Sequence, residues 1–265
     1  MKRNLFIILG IIILIFIMLS ALLLPGGRSK NNVSFKALIA QADAAFSKGD
    51  FTGARSAYER ALNTAGDPAV LNKVKNKIET LNIDILFSPI IDDCSVRYIV
   101  KPKDTLINIA RKFHTTVFLI KRANGLKSDI IHPKQKLKVN TCKFSIAVDK
   151  SQNLLFLKRN DEVIKTYLVS TGKNNSTPVG KFKVVNKLKN PVWFKAGAVV
   201  PPDSPDNVLG TRWIGLDAKG YGIHGNRDEN EIGKQVTQGC VRMKNKDVEE
   251  LYDIVPIGTE VIIVD

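Results

Sequence analysis

The chain has 265 residues and a hydrophobic content of 44%, which suffices for two or three compact units and excludes a chain that is disordered throughout. Its formal net charge is +15. Residues 95–142 hold most of this excess, with 11 basic and 2 acidic side chains. A short segment this basic predicts an anionic partner.

An uncharged apolar run at residues 5–24 follows Lys2 and Arg3. A helix of this length, at ~1.5 Å per residue, spans about 30 Å, the thickness of a bilayer's hydrocarbon core. The run predicts a membrane anchor, with residues 1–4 inside the cell, a linker over residues 25–33 and the body outside. A cleaved signal peptide is the alternative, although the run is longer than the core of such peptides and no small-x-small site follows it. With the body outside, an acidic wall polymer or anionic lipid is favoured as partner over nucleic acid.

Between residues 34 and 81 the apolar residues recur with helical spacing, and Gly49-Asp50 interrupts them. Small and aromatic residues follow tetratricopeptide spacing at Ala42, Ala45, Gly49, Phe51, Ala54, Tyr58 and Ala61. This part therefore resembles one tetratricopeptide unit, with a third helix from Pro68 to about Leu81. A single unit lacks the neighbours that such arrays need, so a spacer is favoured over a docking surface for a protein partner. Residues 82–95 are predicted to be a linker.

Residues 96–140 predict a small α+β module of strand, helix, helix and strand. The module contains, in order, Y-x-V-K-x-x-D-T-L-x-x-I-A, R-A-N-G-L and I-x-P-x-Q-x-L-x-V. These stretches resemble a LysM domain, which implies binding of N-acetylated glycans such as peptidoglycan. The implied contact residues lie in two loops, at Asp104, Thr105 and Leu106 and around Ile130 to Pro133. Lys103 stands where the family usually has glycine, which would alter the turn before the first helix.

Two cysteines, Cys94 and Cys142, bracket this module. Antiparallel pairing of Tyr98 with Lys138 would set the two cysteines opposite each other just beyond the ladder. A disulfide is expected outside the cell, and two unpaired thiols are the alternative. The bridge would leave Cys240 as the free thiol.

From residue 143 to residue 265 the pattern changes to short alternating strands, with one helix at Asp247 to Tyr252. It predicts a mostly-β domain, built as a sandwich or a barrel-like sheet. The polar, acidic stretch from Asn226 to Val236 predicts a mobile rim over a cleft. The stretch from Phe194 to Asn207 predicts a second flap.

The last histidine and the last cysteine of the chain, His224 and Cys240, suit nucleophilic catalysis. A cysteine nucleophile needs a base within hydrogen-bond reach, and N–H donors for the oxyanion that forms on the attacked carbonyl. Cys240 supplies the thiol, His224 the base, and the N–H groups of Gly239 and Cys240 the oxyanion donors. Arg242 would favour the thiolate and pair with a substrate carboxylate, or would only hold its loop.

Two motifs extend this pattern. The first is S-T-P-V-G-K-F at residues 176–182, and the second reads H-G…[S/T]-x-G-C-[V/I]-R-[M/L]. The fixed positions of the second are His224, Gly225, Thr237, Gly239, Cys240, Val241, Arg242 and Met243. Together they resemble the L,D-transpeptidases, the family with a YkuD-like catalytic domain, over roughly residues 144–264.

The resemblance implies an acyltransferase that acts on cell-wall peptidoglycan. Cys240 would attack the carbonyl of the third residue of a tetrapeptide stem, release the terminal D-amino acid and pass the acyl group from the thioester to an amine of a neighbouring stem. The main chain at Gly225 would orient His224, and Thr237 would hold the loop or bind substrate. Hydrolysis of the same thioester would make the enzyme an L,D-carboxypeptidase. A non-catalytic wall-binding scaffold and a general cysteine peptidase are the remaining alternatives.

The sequence as a whole predicts a multidomain protein of the cell membrane with a single span and an extracytoplasmic body. Its expected parts are an N-terminal transmembrane helix, a tetratricopeptide-like helical pair, a small α+β LysM module and a mostly-β catalytic domain. Expected partners are peptidoglycan stem peptides and glycan, together with the membrane. Neither a metal nor a cofactor is predicted, because His114 and His132 lie far from any Cys-x-x-Cys spacing.

Overall fold

The computed structural model describes residues 34–64, 67–195 and 197–265. The predicted stub, anchor and linker at residues 1–33 lie outside this part of the chain. Among the described residues, no helix is both long enough and apolar enough to cross a bilayer.

Helices come first along the described chain, then a small mixed module, then a domain rich in strands. The helices are α1 (Phe35–Ser47), α2 (Phe51–Leu62), α3 (Pro68–Leu86), α4 (Leu106–Lys112), α5 (Val117–Ala123) and α6 (Asn245–Ile254). The strands are β1 (Ser95–Ile99), β2 (Lys136–Asn140), β3 (Phe144–Asp149), β4 (Leu154–Arg159), β5 (Glu162–Leu168), β6 (Thr171–Gly172), β7 (Gly180–Lys189), β8 (Trp193–Lys195), β9 (Ala198–Val200), β10 (Arg212–Leu216), β11 (Gly222–His224), β12 (Gln235–Thr237), β13 (Val241–Arg242) and β14 (Glu260–Val264). Single 3₁₀ turns lie at Lys173–Asn175 and Glu229–Glu231.

Helices α1, α2 and α3 pack through small residues that allow close approach. The alanines at the centre of this packing are fully buried at Ala42, Ala54 and Ala61. Asp50 caps α2 by accepting a hydrogen bond from the N–H of Gly53 at 2.9 Å. Asp67 caps α3 directly before Pro68, which has no N–H to satisfy.

Helix α3 ends at Leu86 and not at Leu81, so it extends into the segment predicted to be a linker. Its last turn joins the core of the strand-rich domain through Ile83 and Leu86. Asn82 Nδ2 also donates to the carbonyl of Ile164 at 3.0 Å. The prediction of a linker from residue 82 is wrong because these apolar side chains are buried against a domain far along the chain.

Strands β1 and β2 pair antiparallel and enclose a small core with α4 and α5. Tyr98 faces Leu137, one residue short of its predicted partner Lys138. A shift of one residue exchanges the two faces of a strand. Leu137 therefore faces the module's core, while the 4%-exposed Lys138 donates from Nζ to the carbonyl of Ile85 at 2.6 Å. Burial lowers the pKa of Lys138 to about 8.

Cys94 and Cys142 form a disulfide in this shifted register, with their Cα atoms 5.1 Å apart. The N–H of Thr141 donates to the carbonyl of Cys94 at 2.9 Å. Cys94 is thus directly opposite Thr141 in the antiparallel ladder. The disulfide therefore joins Cys94 to the residue after its ladder partner and not to the partner itself. Asn160 Nδ2 lies 2.9 Å from Cys142 Sγ and ties the bridge to the turn between β4 and β5.

The small module packs against α6 of the strand-rich domain. Leu119 of α5 belongs to the core of that domain. The Phe118 ring meets Tyr252 edge-on with ring centroids 5.6 Å apart. Arg122 pairs with Asp253 at 3.1 Å. Apolar, aromatic and ionic contacts therefore all join the module to α6.

The strand-rich domain is built on one mixed sheet of eight strands, in the order β13-β11-β10-β7-β14-β3-β4-β5. The pairs β11–β13 and β14–β3 are parallel. Two-stranded ladders of β6 with β12 and of β8 with β9 accompany the sheet. The domain is mostly β as predicted. The two ends of this sheet approach each other, because Ser170, just after β5, pairs with Arg242 of β13. The single curled sheet is therefore closer to the predicted barrel-like sheet than to a sandwich of two sheets.

Helix α6 lies over the part of the sheet that contains β10 and β11. Its apolar residues Val248, Leu251 and Ile254 are fully buried. Lys187 of β7 donates from Nζ to the carbonyls of Tyr252 at 2.5 Å and Val255 at 2.7 Å. A cation at the negative end of a helix is favourable, and here burial lowers its pKa to about 8. Helix α6 is consequently fixed at both its face and its C-terminus.

Candidate active site

A cleft of about 700 Å³ opens at the edge of the sheet formed by β11 and β13. Parallel pairing sets Ile223 beside Val241 and His224 beside Arg242. Cys240 immediately precedes β13. His224 and Cys240 both line the cleft.

The imidazole of His224 is held in one orientation and is uncharged. Its Nδ1 lies 2.7 Å from the carbonyl oxygen of Gly225, so Nδ1 carries the proton and Nε2 is the basic nitrogen. The ring stacks on Trp213, with centroids 5.8 Å apart. The side chain is 2% exposed. Burial lowers the pKa of His224 to about 4, although the Gly225 carbonyl acts in the opposite direction.

Cys240 is half-buried, and its Sγ donates to the carbonyl of Gly220 at 3.6 Å. Burial raises the pKa of Cys240 above its ordinary 9.0, against the smaller opposing effects of the Gly222 backbone and the charge of Arg242. Arg242 favours the thiolate, as predicted, but desolvation outweighs the effect of its guanidinium. The resting site pairs a thiol with a neutral imidazole.

Gly239 is required by both its backbone conformation and the space around it. Its φ is 125°, and a Cβ there would lie 2.6 Å from a ring carbon of Tyr221. Its N–H donates to Thr237 Oγ1 at 3.1 Å, and this hydroxyl donates to the carbonyl of Cys240 at 2.7 Å. The N–H of Gly239 is thus already engaged, which contradicts its predicted part as an oxyanion donor. Thr237 holds the loop before the thiol, one of the two functions predicted for it.

Arg242 meets a carboxylate that belongs to the protein itself. Its guanidinium pairs with Glu231, and its side chain is 13% exposed. Its backbone exchanges two hydrogen bonds of 2.8 Å with Ser170. Within the described part of the chain, Arg242 Nε is buried without a hydrogen-bond partner. Arg242 therefore stabilises its loop, and among the described residues its guanidinium still has an N–H group, at Nε, that is free to donate a hydrogen bond.

The rim from Asn226 to Val236 is tied to the rest of the site at several points. Beside the Glu231 ion pair, Glu229 pairs with Lys244 at 3.0 Å. Ser170 Oγ donates to the carbonyl of Glu231 at 2.6 Å. Strand β12, at the end of the rim, pairs with β6. These contacts give the predicted rim a defined position in the structure.

The second predicted flap contains the β8–β9 hairpin and the loop after it. Phe194 is 76% exposed and lines the cleft. Asn207, at the base of the flap, is fully buried and donates to the carbonyls of Pro191 at 2.9 Å and Pro201 at 3.0 Å. The cleft is thus bounded by a pinned rim and by a hairpin with an apolar tip.

The LysM residues predicted to meet glycan differ in their exposure and in their contacts within the module. Leu106 is 2% exposed in the core of the module, so its prediction as a glycan contact is wrong. Asp104 accepts a hydrogen bond from the N–H of Lys101 at 2.7 Å. Thr105 caps α4 and is itself exposed. Lys103 keeps a glycine-like turn, with a φ of 69°.

Sequence reasoning did not single out Trp213, Tyr221 or Asn245, which all support the site. The indole Nε1 of Trp213 donates to Asn186 Oδ1 at 3.0 Å. A Cβ on Gly222 would lie 2.7 Å from the Trp213 ring, so this glycine makes room for the stack on the imidazole. Two features of the sequence could have pointed to this support: Trp213 is one of only two tryptophans in the chain, and Gly222 lies two residues before His224. Within the described residues, no three His, Cys, Asp or Glu side chains converge as metal ligands.

Comparison with known families gives two matches, which lie side by side on the chain. The model of the YkuD family, an L,D-transpeptidase catalytic domain, matches residues 143–263. The model of the LysM domain matches residues 98–140.

Two individual relatives are named as L,D-transpeptidases. The protein named "Putative L,D-transpeptidase YqjB" of Bacillus subtilis (strain 168) is 44% identical over 126 residues, which are 45% of this chain and 70% of that protein. "Putative L,D-transpeptidase YkuD" of Bacillus licheniformis is 37% identical over 174 residues, which are 63% of this chain and 97% of that protein. A solved L,D-transpeptidase 3 from Mycobacterium tuberculosis, in complex with a faropenem-derived adduct, shares 19% identity and a TM-score of 0.40 over 50% of this chain and 65% of its own. The two Bacillus similarities decide the matter, and the chain belongs to the L,D-transpeptidase family.

Proposed function

We propose that the chain is a peptidoglycan L,D-transpeptidase with Cys240 as nucleophile and His224 as general base. One observation carries the proposal: β13 and β11 bring the thiol and the imidazole to the same cleft, with Nδ1 of the imidazole bonded to the Gly225 carbonyl. The acyl donor is a tetrapeptide stem, and the acceptor is an amine of a neighbouring stem.

Acylation begins with a neutral thiol, since burial raises the pKa of Cys240. As Sγ attacks the carbonyl carbon of the third stem residue, the thiol proton passes to Nε2 of His224. The oxyanion that forms needs an N–H donor, and the backbone of Cys240 is the proposed one. The C–N bond then breaks, the imidazolium gives its proton to the leaving amine of the terminal D-amino acid, and a thioester remains.

Deacylation reverses these proton movements. The acceptor amine attacks the thioester carbonyl and loses a proton to His224. The C–S bond breaks, and the sulfur of Cys240 takes that proton back. An amide cross-link leaves, and the thiol and neutral imidazole are restored.

We assign to Arg242 the binding of a carboxylate on the stem. Its guanidinium holds Glu231 in the resting protein, and its buried Nε has no partner among the described residues. A substrate carboxylate that replaces Glu231 would accept from more than one guanidinium N–H, which is the geometry that favours arginine. The rim that carries Glu231 would shift to admit it.

The LysM module and the N-terminal part of the chain would hold the catalytic domain close to peptidoglycan. We propose that the LysM module binds glycan through exposed positions such as Thr105 and Ile130, the latter 70% exposed. Residues 5–24 remain our proposal for a membrane anchor. Helices α1 to α3 would then be a spacer that is rigid at the end where α3 packs on the catalytic domain, with docking of a protein partner as the alternative.

Mass spectrometry of the full chain incubated with a tetrapeptide stem tests the proposal. We expect an adduct on Cys240 with the mass of the stem minus its terminal D-amino acid, and a cross-linked product after an amine acceptor is added. Cys240→Ala should give neither. His224→Gln should slow adduct formation by a factor on the order of 10² to 10⁴. His132→Gln, an exposed LysM histidine, is the matched control and should keep the wild-type rate.

Two results would reject the proposal: no adduct on the wild-type chain, or the same adduct on Cys240→Ala. Release of free tripeptide in the presence of excess acceptor would assign L,D-carboxypeptidase activity instead. Cleavage of ordinary all-L peptides would assign a general cysteine peptidase.

A further inference from the structure

Asn245, the first residue of α6, lies directly behind the base. Its Oδ1 accepts hydrogen bonds from the N–H of Thr211 at 3.1 Å and the N–H of Asn226 at 3.2 Å. Both partners are donors, so only the carbonyl oxygen of the amide can face them, and the orientation of the side chain is settled. An asparagine near a helix start ordinarily accepts from that helix's own N–H groups. The oxygen of Asn245 reaches two other segments of the chain instead.

One of these contacts leads to the imidazole. The N–H of Asn226 and the carbonyl of Gly225 belong to a single planar peptide group. That carbonyl accepts from Nδ1 of His224 at 2.7 Å. A chain of hydrogen bonds therefore runs from Asn245 Oδ1 through the peptide to the ring. Rotation of the peptide would turn the carbonyl away from Nδ1, and Asn245 opposes that rotation.

Glycines from two separate loops clear the space around this oxygen. A Cβ on Gly225 would lie 2.2 Å from Asn245 Oδ1, and a Cβ on Gly210 would lie 2.3 Å from it. Gly210 also has a φ of 64°, a conformation that other residues adopt with strain. The backbone on both sides is thus shaped to admit the amide oxygen.

Helix α6 gives Asn245 a rigid support. Val248 and Leu251, in the following turns, are fully buried against the sheet. Lys187 binds the carbonyls at the other end of the helix. The side chain is therefore positioned by the core of the domain.

We propose that Asn245 is a positioning residue, which holds the Gly225–Asn226 peptide and so keeps His224 in the Nδ1–H form with Nε2 available for the thiol proton. Its effect on rate rests on the proposed function. Its effect on the imidazole is a property of the resting protein and is measurable without substrate.

The tautomer of His224 is the direct test, read by nitrogen-15 NMR of the full chain labelled at histidine. The chain has three histidines, and His224→Gln identifies the signal of interest. In the wild type at neutral pH we expect a protonated Nδ1 and an unprotonated Nε2. Asn245→Ala should show both tautomers and lower kcat on the order of 100-fold, with KM changed less than about threefold.

Asn124→Ala is the matched control. Asn124 Oδ1 also accepts from a backbone N–H, that of Lys138 at 2.7 Å, but within the LysM module. Its removal should leave the tautomer and kcat as in the wild type. Asn245→Asp keeps an acceptor in place, so it should keep the Nδ1–H form and recover most of the lost kcat. This variant also decides the question if Asn245→Ala does not fold.

The wild-type tautomer in folded Asn245→Ala would overturn the proposal, and so would mixed tautomers in folded Asn245→Asp. A wild-type chain without transpeptidase activity would overturn the proposed function alone, because the NMR comparison needs no substrate.

Discussion

At the scale of single residues, the imidazole of His224 and the thiol of Cys240 are both uncharged in the resting site. Burial lowers the pKa of the first to about 4 and raises the pKa of the second above 9.0. Across the pH range between these values neither group carries charge. The thiol proton therefore moves during the attack on the substrate and not before it.

Alkylation of Cys240 by iodoacetamide should report this resting state. The thiolate is the reactive form, so the rate should rise with pH and reach its midpoint above pH 9.0. Cys94 and Cys142 are bonded to each other and do not compete. Intact-mass measurements across a pH series give the midpoint. A midpoint near neutrality would show a preformed thiolate and imidazolium instead.

Acid should destabilise the protein through His224. Its pKa is about 4 in the folded chain against an ordinary 6.5, so the unfolded chain binds an extra proton between these two pH values. The free energy of unfolding should be undiminished above pH 6.5 and lower by about 3 kcal/mol once the pH has fallen to about 4. Urea unfolding across this range should show a flatter pH dependence for His224→Gln than for the wild type. His132→Gln should follow the wild type, and equal slopes for His224→Gln and the wild type would contradict the expectation.

At the scale of elements, periodic patterns predicted the long helices and strands well, and local sequence carried no sign of the shortest ones. Strands β6 and β13 have two residues each, too few for any alternation to show. They exist because distant segments lie alongside them, as β11 does for β13. The signature around the cysteine and histidine was readable from the sequence. The helix at Asp247 to Tyr252 and the main chain at Gly225 were predicted as well. The hydrogen bonds of Asn245 were not, because this residue has the sequence context of an ordinary helix start.

The rim should control how readily substrate reaches Arg242. Glu231→Gln removes the carboxylate that now pairs with the guanidinium. If a stem carboxylate takes this place, KM for the donor stem should fall about threefold to tenfold, with kcat little changed. Steady-state kinetics of acyl transfer measure both constants.

Glu229→Gln is the control for this change, because Glu229 lies on the same 3₁₀ turn but pairs with Lys244. It should leave KM for the donor close to the wild-type value. A higher KM in Glu231→Gln would mean that Glu231 helps to form the binding site and does not compete for it.

At the scale of the whole molecule, the predicted division into linked modules describes the chain only in part. The LysM module and helix α3 both contribute to the core of the catalytic domain, through Leu119, Ile83 and Leu86. Alternation in a sequence shows which face of a strand is buried but not which partner covers it. For this reason the single sheet, the shifted pairing of β1 with β2 and the buried Lys138 could not be derived from the sequence.

The disulfide should stabilise this joined architecture. It closes a loop with a sequence separation of 48 residues around the LysM module. In the chain-entropy account, replacing both cysteines in Cys94→Ala/Cys142→Ala should lower the free energy of unfolding by about 4 kcal/mol. Urea unfolding of the oxidised wild type and the double variant measures the difference. The alkylation profile of Cys240 should stay the same in the variant, and a changed profile would show that the bridge also shapes the cleft.

The burial of Leu119, Ile83 and Leu86 against the catalytic core has a practical meaning for anyone who prepares this enzyme. A truncated protein that starts at Lys143 would expose to solvent the apolar surface that these three side chains now cover. Tyr252 would also lose its contact with the ring of Phe118. Exposed apolar patches of this kind promote self-association in solution. Crystallisation trials and inhibitor screens are therefore better served by material that begins near residue 34 than by the minimal enzyme.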